Sequence, residues 1–166
     1  MKNLILRAKN LHDNFFSLVS YAQTPFLLFV RLYWGWQLVE SGWGKLHNLD
    51  KVTEFFAGLG LPMPAATAVF ISSLEFFGGI LLALGLFSRL ISLMLTVNLI
   101  TAYITADREA LSSIFTDPDK FMAAAPFIFL FVSLIVLIFG PGKIAVDTLL
   151  RRWFPASEAR APGSSN

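Results

Sequence analysis

The chain has 166 residues, enough for one domain, yet 55% of them are hydrophobic and only 14% charged, giving a mean hydropathy of +0.65. That composition excludes an ordinary soluble domain, and 17 Phe and 4 Trp add to the apolar excess. No cysteine is present, which rules out disulfides, thiol redox chemistry and thiolate-ligated clusters by this chain alone, while a net charge of +2 is too small to point to nucleic acid.

In chain order, Lys2, Arg7 and Lys9 precede a short apolar run, FFSLVSYAQ. Residues 1–24 are therefore expected to form an uncleaved, amphipathic, cytoplasmic arm and not a signal peptide. Four apolar segments follow, at about 25–43, 64–86, 88–106 and 121–140. Each has about 19 residues or more, which at about 1.5 Å per residue roughly crosses a hydrocarbon core about 30 Å thick.

Between the first two segments, Val52, Phe55, Phe56 and Leu59 share one side of a helix-like piece, ended by Gly58, Gly60, Pro62 and Pro64. A short helix lying in the outer interface is expected there. Phe87-Ser88 leaves room only for a tight hairpin between the second and third segments, and residues 107–120 form an acidic outer loop. After the last segment, GPGKIAVDTLLRRWF predicts a break and then an amphipathic helix along the inner leaflet. Residues 154–166 should be a disordered tail.

The expected fold class is thus all-α: a polytopic membrane protein, built as an antiparallel bundle of four transmembrane helices over residues 25–153. Lys2, Arg7, Lys9, Arg89, Lys143, Arg151, Arg152 and Arg160 fall on the side holding both termini. They outnumber Lys45, Lys51, Arg108 and Lys120 opposite. The positive-inside rule therefore places both termini in the cytoplasm.

Glu75 is the charge inside the second segment, and it needs a partner or a proton. Helical spacing puts Arg31, Gly35, Leu38, Gly42 and Lys45 on one face of the first segment, and Ser72, Glu75 and Gly79 on one face of the second. Asn98, Thr101, Ala102 and Thr105 share a face of the third. Small residues beside polar ones mark a packed interior, so Arg31, Glu75 and Asn98 are expected to meet in one buried polar centre. An isolated charge at mid-bilayer costs at least about 2.5 kcal/mol, and an Arg31–Glu75 pair would relieve it.

That pair would be either a structural lock or a ligand or proton site. Trp34, Phe76, Phe77, Gly78 and Gly79 are the candidates to line a pocket beside it, though the two glycines serve helix packing equally well. Asn98 also suits an interhelical hydrogen bond, and Glu40 reaches headgroup water. His47, Asp50 and Glu54 lack the spacing of a metal set, so no metal site is expected. His12 and His47 lie outside the apolar blocks and do not suit a haem held within the bundle.

GWGKL (Gly42 to Leu46), FFAGLGLPMP, LEFFGGILLALGLFSRL and GPGKIAVD, preceded by an arginine in the first segment, together resemble the DoxX family of small four-helix membrane proteins. The likeness runs from about Phe26 to Trp153. It implies a bacterial inner-membrane protein, by analogy with members described as a small subunit of a terminal quinol oxidase or as the membrane part of oxidoreductase assemblies. Carried over residue by residue, the family pattern falls on Arg31, Gly42, Lys45, Glu75, Gly78, Gly79 and Arg89.

Two functions follow as expectations. One is an accessory subunit of a respiratory or detoxifying oxidoreductase complex, with redox-enzyme subunits as partners and a quinone or other lipophilic ligand near Arg31 and Glu75. The other is a non-enzymatic transporter of small solutes or lipids, or an assembly factor for membrane proteins. The chain shows no nucleotide loop and no nucleophile with its base, so enzyme activity is not expected of it alone. No cofactor bound covalently or by metal ligation is expected. The lipid bilayer is the expected partner in every case, with self-association open as a homo-oligomer.

Overall fold

The computed structural model describes residues 2–153, and among them every regular element is helical. Helix α1 (Lys2–Leu46) takes in the expected amino-terminal arm and the first apolar segment as one 45-residue helix. Pro25 sits inside it. Proline removes one hydrogen bond of the helical ladder, a loss that helices embedded among neighbours tolerate. No interruption of the helix marks residue 25, and the disordered tail expected over 154–166 lies outside the described residues.

Helix α2 (Leu49–Gly58) is the short helix expected between the first two segments, and it buries Phe56. Gly60, at φ 72°, ends it, and Met63, left-handed at φ 46°, turns the chain into α3 (Pro64–Leu84). Pro64 opens α3 where a missing N–H costs nothing. At the far end Gly85 takes φ 72°, the Gly85 N–H donates to Leu82 O, and the Leu86 N–H donates to Leu81 O. This Schellman motif delivers the chain directly into α4 (Ser88–Thr105).

Two short helices follow in the loop, α5 (Arg108–Ser112) and α6 (Pro118–Ala123), and then α7 (Pro126–Phe139) and α8 (Val146–Trp153). The fourth apolar segment differs from expectation. Ala124 is extended and α7 restarts at Pro126, so the segment splits into α6 and a 14-residue helix about 21 Å long. Among the described residues three helices are long and apolar enough to cross a membrane, Phe15–Leu46, Pro64–Leu84 and Ser88–Thr105, and α7 is a shorter apolar helix.

Helices α1, α3, α4 and α7 pack in a closed ring: α1 against α3, α3 against α4, α4 against α7, and α7 against α1. Leu38, Leu82, Ile91, Leu95, Leu99 and Val136 form the apolar centre. Ser72, Ser92, Thr96 and Ser133 are buried between the helices, as expected where small side chains let backbones approach. Outside the ring, Phe29, Trp36, Phe70, Phe77 and Val97 are exposed. An apolar exterior around a centre that holds polar residues identifies a multi-pass membrane protein.

The α1–α3 seam is the tightest part of the ring. A Cβ added to Gly42 would lie 2.3 Å from Phe76 N, and one added to Gly79 would lie 2.7 Å from Gly35 O. Gly78 instead faces α4, where the nearest atom to an added Cβ is a flexible Ile91 methyl at 3.4 Å. Gly42→Ala should therefore destabilise the purified protein by about 3 kcal/mol or more, and Gly78→Ala by less than about 1 kcal/mol. Thermal unfolding in detergent measures both, and equal losses would contradict the seam.

Candidate functional site

Glu75 lies about midway along α3 and is 5% exposed. Its carboxylate accepts from Lys45 Nζ at 2.5 Å and 2.7 Å, and from Ser41 Oγ at 2.8 Å. Lys45 stands in the last turn of α1, and its side chain is 35% exposed. Both carboxylate oxygens are satisfied by groups four residues apart on one helix, which is how a carboxylate at this depth avoids isolation.

The pair forms part of the wall of a cavity of about 420 Å³ lined by residues of α1, α2, α3, α4 and α7. Val52, Phe55, Phe56 and Leu59 of α2 and its exit close one side, and Phe129 of α7 another. Asn98 and Thr101 of α4 contribute further polar groups, and the lining continues to Asp107 beyond the end of α4. The cavity is thus largely apolar, with the Lys45–Glu75 pair, the Asn98 carboxamide and the hydroxyls of Ser41, Thr101 and Thr105 on its walls and Lys51 and Asp107 as further charges in its lining. That combination fits an amphipathic molecule. Among the described residues, no group of three or more His, Asp and Glu side chains converges, His47, Asp50 and Glu54 included.

Arg31 is elsewhere, so the expected Arg31–Glu75 pair is not formed. About 21 Å of helix axis separates Arg31 from Lys45 at about 1.5 Å per residue, beyond the reach of any side chain. Arg31 is 1% exposed and lies at the turn between α3 and α4. Its Nη2 donates to Ile144 O and its Nε to Leu27 O at 3.4 Å. Nη1 fills the space beside Gly85, only 1.7 Å from where a Cβ on that glycine would stand. Gly85 is therefore required both for its φ and for the room it leaves.

The segment that Arg31 holds also locks the turn. Asp147 accepts from the Phe87 N–H at 2.8 Å and the Ser88 N–H at 2.9 Å, and donates its own N–H to Gly85 O at 2.9 Å. An acid at the start of α4 satisfies its orphan donors and its dipole. Gly140 at φ 77° and Gly142 at φ 83° let the chain turn back from α7 to reach this position. GPGKIAVD is thus a clasp over the α3–α4 turn.

The expected pocket-lining residues are also placed elsewhere. Trp34 meets Phe129 edge to face at 5.9 Å without reaching the cavity wall. Phe76 packs on Trp43 at 5.5 Å, Phe77 is 58% exposed towards the exterior, and Gly78 and Gly79 serve the α4 and α1 seams. Gly42 belongs to the α1 seam too, and Arg89 lies in a second cavity near Gly140. Of the expected polar centre, Glu75 and Asn98 share a cavity, with Lys45 in the place assigned to Arg31. Ser41 and the α2 wall went unnoticed in the sequence, although Lys45 stands on the same face as Arg31.

Two measurements test this arrangement. Double-mutant cycles on thermal unfolding should give coupling of about 1 kcal/mol or more between Lys45→Met and Glu75→Gln. The coupling between Arg31→Met and Glu75→Gln should be near zero. For the clasp, Arg31→Met should speed hydrogen exchange of the Asp147 and Leu149 amides by about tenfold or more while leaving α3 amides unchanged. Unchanged exchange at Asp147 would remove the holding role of Arg31.

The comparisons agree with this architecture. The DoxX family pattern matches residues 26–108. A Bacillus subtilis (strain 168) protein named "Putative oxidoreductase CatD" is 28% identical over 122 residues, covering 72% of this chain and 83% of that protein. No solved structure matches. The matched stretch runs through the α1–α3 seam and the Lys45–Glu75 pair and amounts to half of the sequence, so the protein belongs to the DoxX family.

Proposed function

We propose that this protein is a membrane subunit of an oxidoreductase assembly and binds a quinone or similar amphipathic ligand in the Lys45–Glu75 cavity. The observation that carries this reading is a satisfied ammonium–carboxylate pair set in the wall of an otherwise largely apolar cavity of about 420 Å³. That volume lies within the range of about 300–1,000 Å³ for ligand pockets. The name of the Bacillus subtilis relative supports the oxidoreductase setting.

A bound quinone would supply carbonyl oxygens that take up electrons and protons. The residues of this chain bind and orient it. An ammonium carries three donors, so Lys45 can hold Glu75 and still donate to a ligand oxygen. The Asn98 carboxamide has no hydrogen-bond partner among the described residues and can fix the ring's orientation. Glu75 keeps the ammonium in place, and Val52, Phe55, Phe56 and Leu59 exclude water. The electron-carrying group is the ligand itself or belongs to a partner subunit. In this reading α7 completes a four-helix transmembrane bundle in a bacterial inner membrane, with both termini cytoplasmic.

The test is to quantify quinone extracted from the purified protein and to titrate the delipidated protein with a short-chain quinone, following thermal stability. Lys45→Met and Ala102→Trp should each weaken binding about tenfold or more, whereas Phe77→Leu, on the exterior, should leave it unchanged. Absence of bound quinone, with proton-coupled solute uptake in vesicles, would overturn this reading in favour of a transporter.

A further inference from the structure

At the other end of the bundle a cavity of about 550 Å³ lies between α1, the α3–α4 turn and the clasp. Arg89 and Lys143 are its cations and Asp147 its one acid. Both Asp147 oxygens are engaged by the Phe87 and Ser88 N–H groups, and the charge of buried Arg31 acts on the same carboxylate. The acid is therefore already balanced. Among the described residues Arg89 has no acidic partner, and Lys143 has only the Tyr21 ring, 5.9 Å from its Nζ. The cavity keeps an uncompensated double positive charge.

A second, apolar groove of about 680 Å³ runs between α1 and α7 and shares Gln23, Leu27 and Phe139 with the first cavity. Phe16, Val19, Phe26, Leu134, Ile135 and Ile138 supply its walls. Its polar members are only Ser20, whose hydroxyl donates to Phe16 O, and Gln23 at the junction. A cationic chamber thus opens into an apolar channel, and the two have the chemistry of one amphiphile with an anionic head.

We propose that these joined cavities bind an anionic phospholipid, its phosphate between Arg89 and Lys143 and an acyl chain along the α1–α7 groove. A headgroup that brings its own cation, as choline does, leaves the double charge uncompensated and is disfavoured. The site lies across the α3–α4 turn and the clasp, so the bound lipid bridges α1, α4 and the segment after α7.

Native mass spectrometry of the purified full-length protein, titrated with phosphatidylglycerol and with phosphatidylcholine, tests this. Phosphatidylglycerol should bind more tightly, and Arg89→Gln and Lys143→Gln should each weaken it about fivefold. Arg108→Gln, at the other end of α4, should not. Ile135→Trp should weaken the lipid by blocking the groove. Lys143→Gln, on an exposed loop, keeps the test open if Arg89→Gln does not fold. Equal binding of the two lipids, or affinity unchanged in both charge variants, would overturn the proposal. Glycerol phosphate competing as strongly as the whole lipid would assign the chamber to a free phosphate instead.

Discussion

The close approach of α1 and α3 sets the arrangement of the rest. Gly35 meets Gly79, and Gly42 meets the backbone of Phe76; with no side chain at these points the two helices can take only one register. That register brings Lys45 opposite Glu75 and Arg31 opposite Gly85. Sliding α3 by one turn, about 5.4 Å, would drive backbone into backbone at Gly42 and separate both charged groups from their partners at once. The glycines therefore determine the electrostatics, although they carry no charge.

Two charged residues within an apolar bundle are held in different ways, and Nη1 of Arg31 has no hydrogen-bond partner among the described residues. Glu75 is met by side chains, Lys45 and Ser41, and these can move. Arg31 is met by main-chain carbonyls of Leu27 and Ile144, which belong to helix α1 and to the clasp. A side-chain partnership can be exchanged for a ligand's hydrogen bonds at modest cost, because donors and acceptors are replaced in kind. Releasing Arg31 would instead undo the clasp and uncover the start of α4. The first arrangement suits a binding site, and the second suits a structural anchor.

Much of this was legible in the sequence. Apolar lengths located α1, α3 and α4, Gly and Pro located the ends of α2 and the α3–α4 hairpin, and helical spacing put Glu75 inside. The partner of Glu75 was misjudged because helical spacing puts Arg31 and Lys45 on one face of the first segment without saying which of them lies level with Glu75. Helix α1 begins at Lys2 and passes through Pro25, so residue count from the start of an apolar block says nothing about which residue of α3 lies alongside. Gly35 and Gly42 carried that information, but only as half of a contact whose other half, Gly79 and Phe76, must be seen in three dimensions. The same holds for Asp147, whose role depends on the chain returning to a turn 59 and 60 residues earlier in sequence.

The mismatch in helix length explains why a cavity forms where it does. Helix α1 stops at Leu46, level with the middle of α3, so the first half of α3 is left without its main neighbour. A continuation of α1 would fill that space with packed side chains. The chain instead turns at His47 and Asn48, and the shorter α2 covers α3. A helix of ten residues that buries only Phe56 cannot fill the volume, and α4 and α7 supply the remaining walls. The Lys45–Glu75 pair is left at the boundary between the closely packed part of the ring and the part that is open enough to hold a ligand.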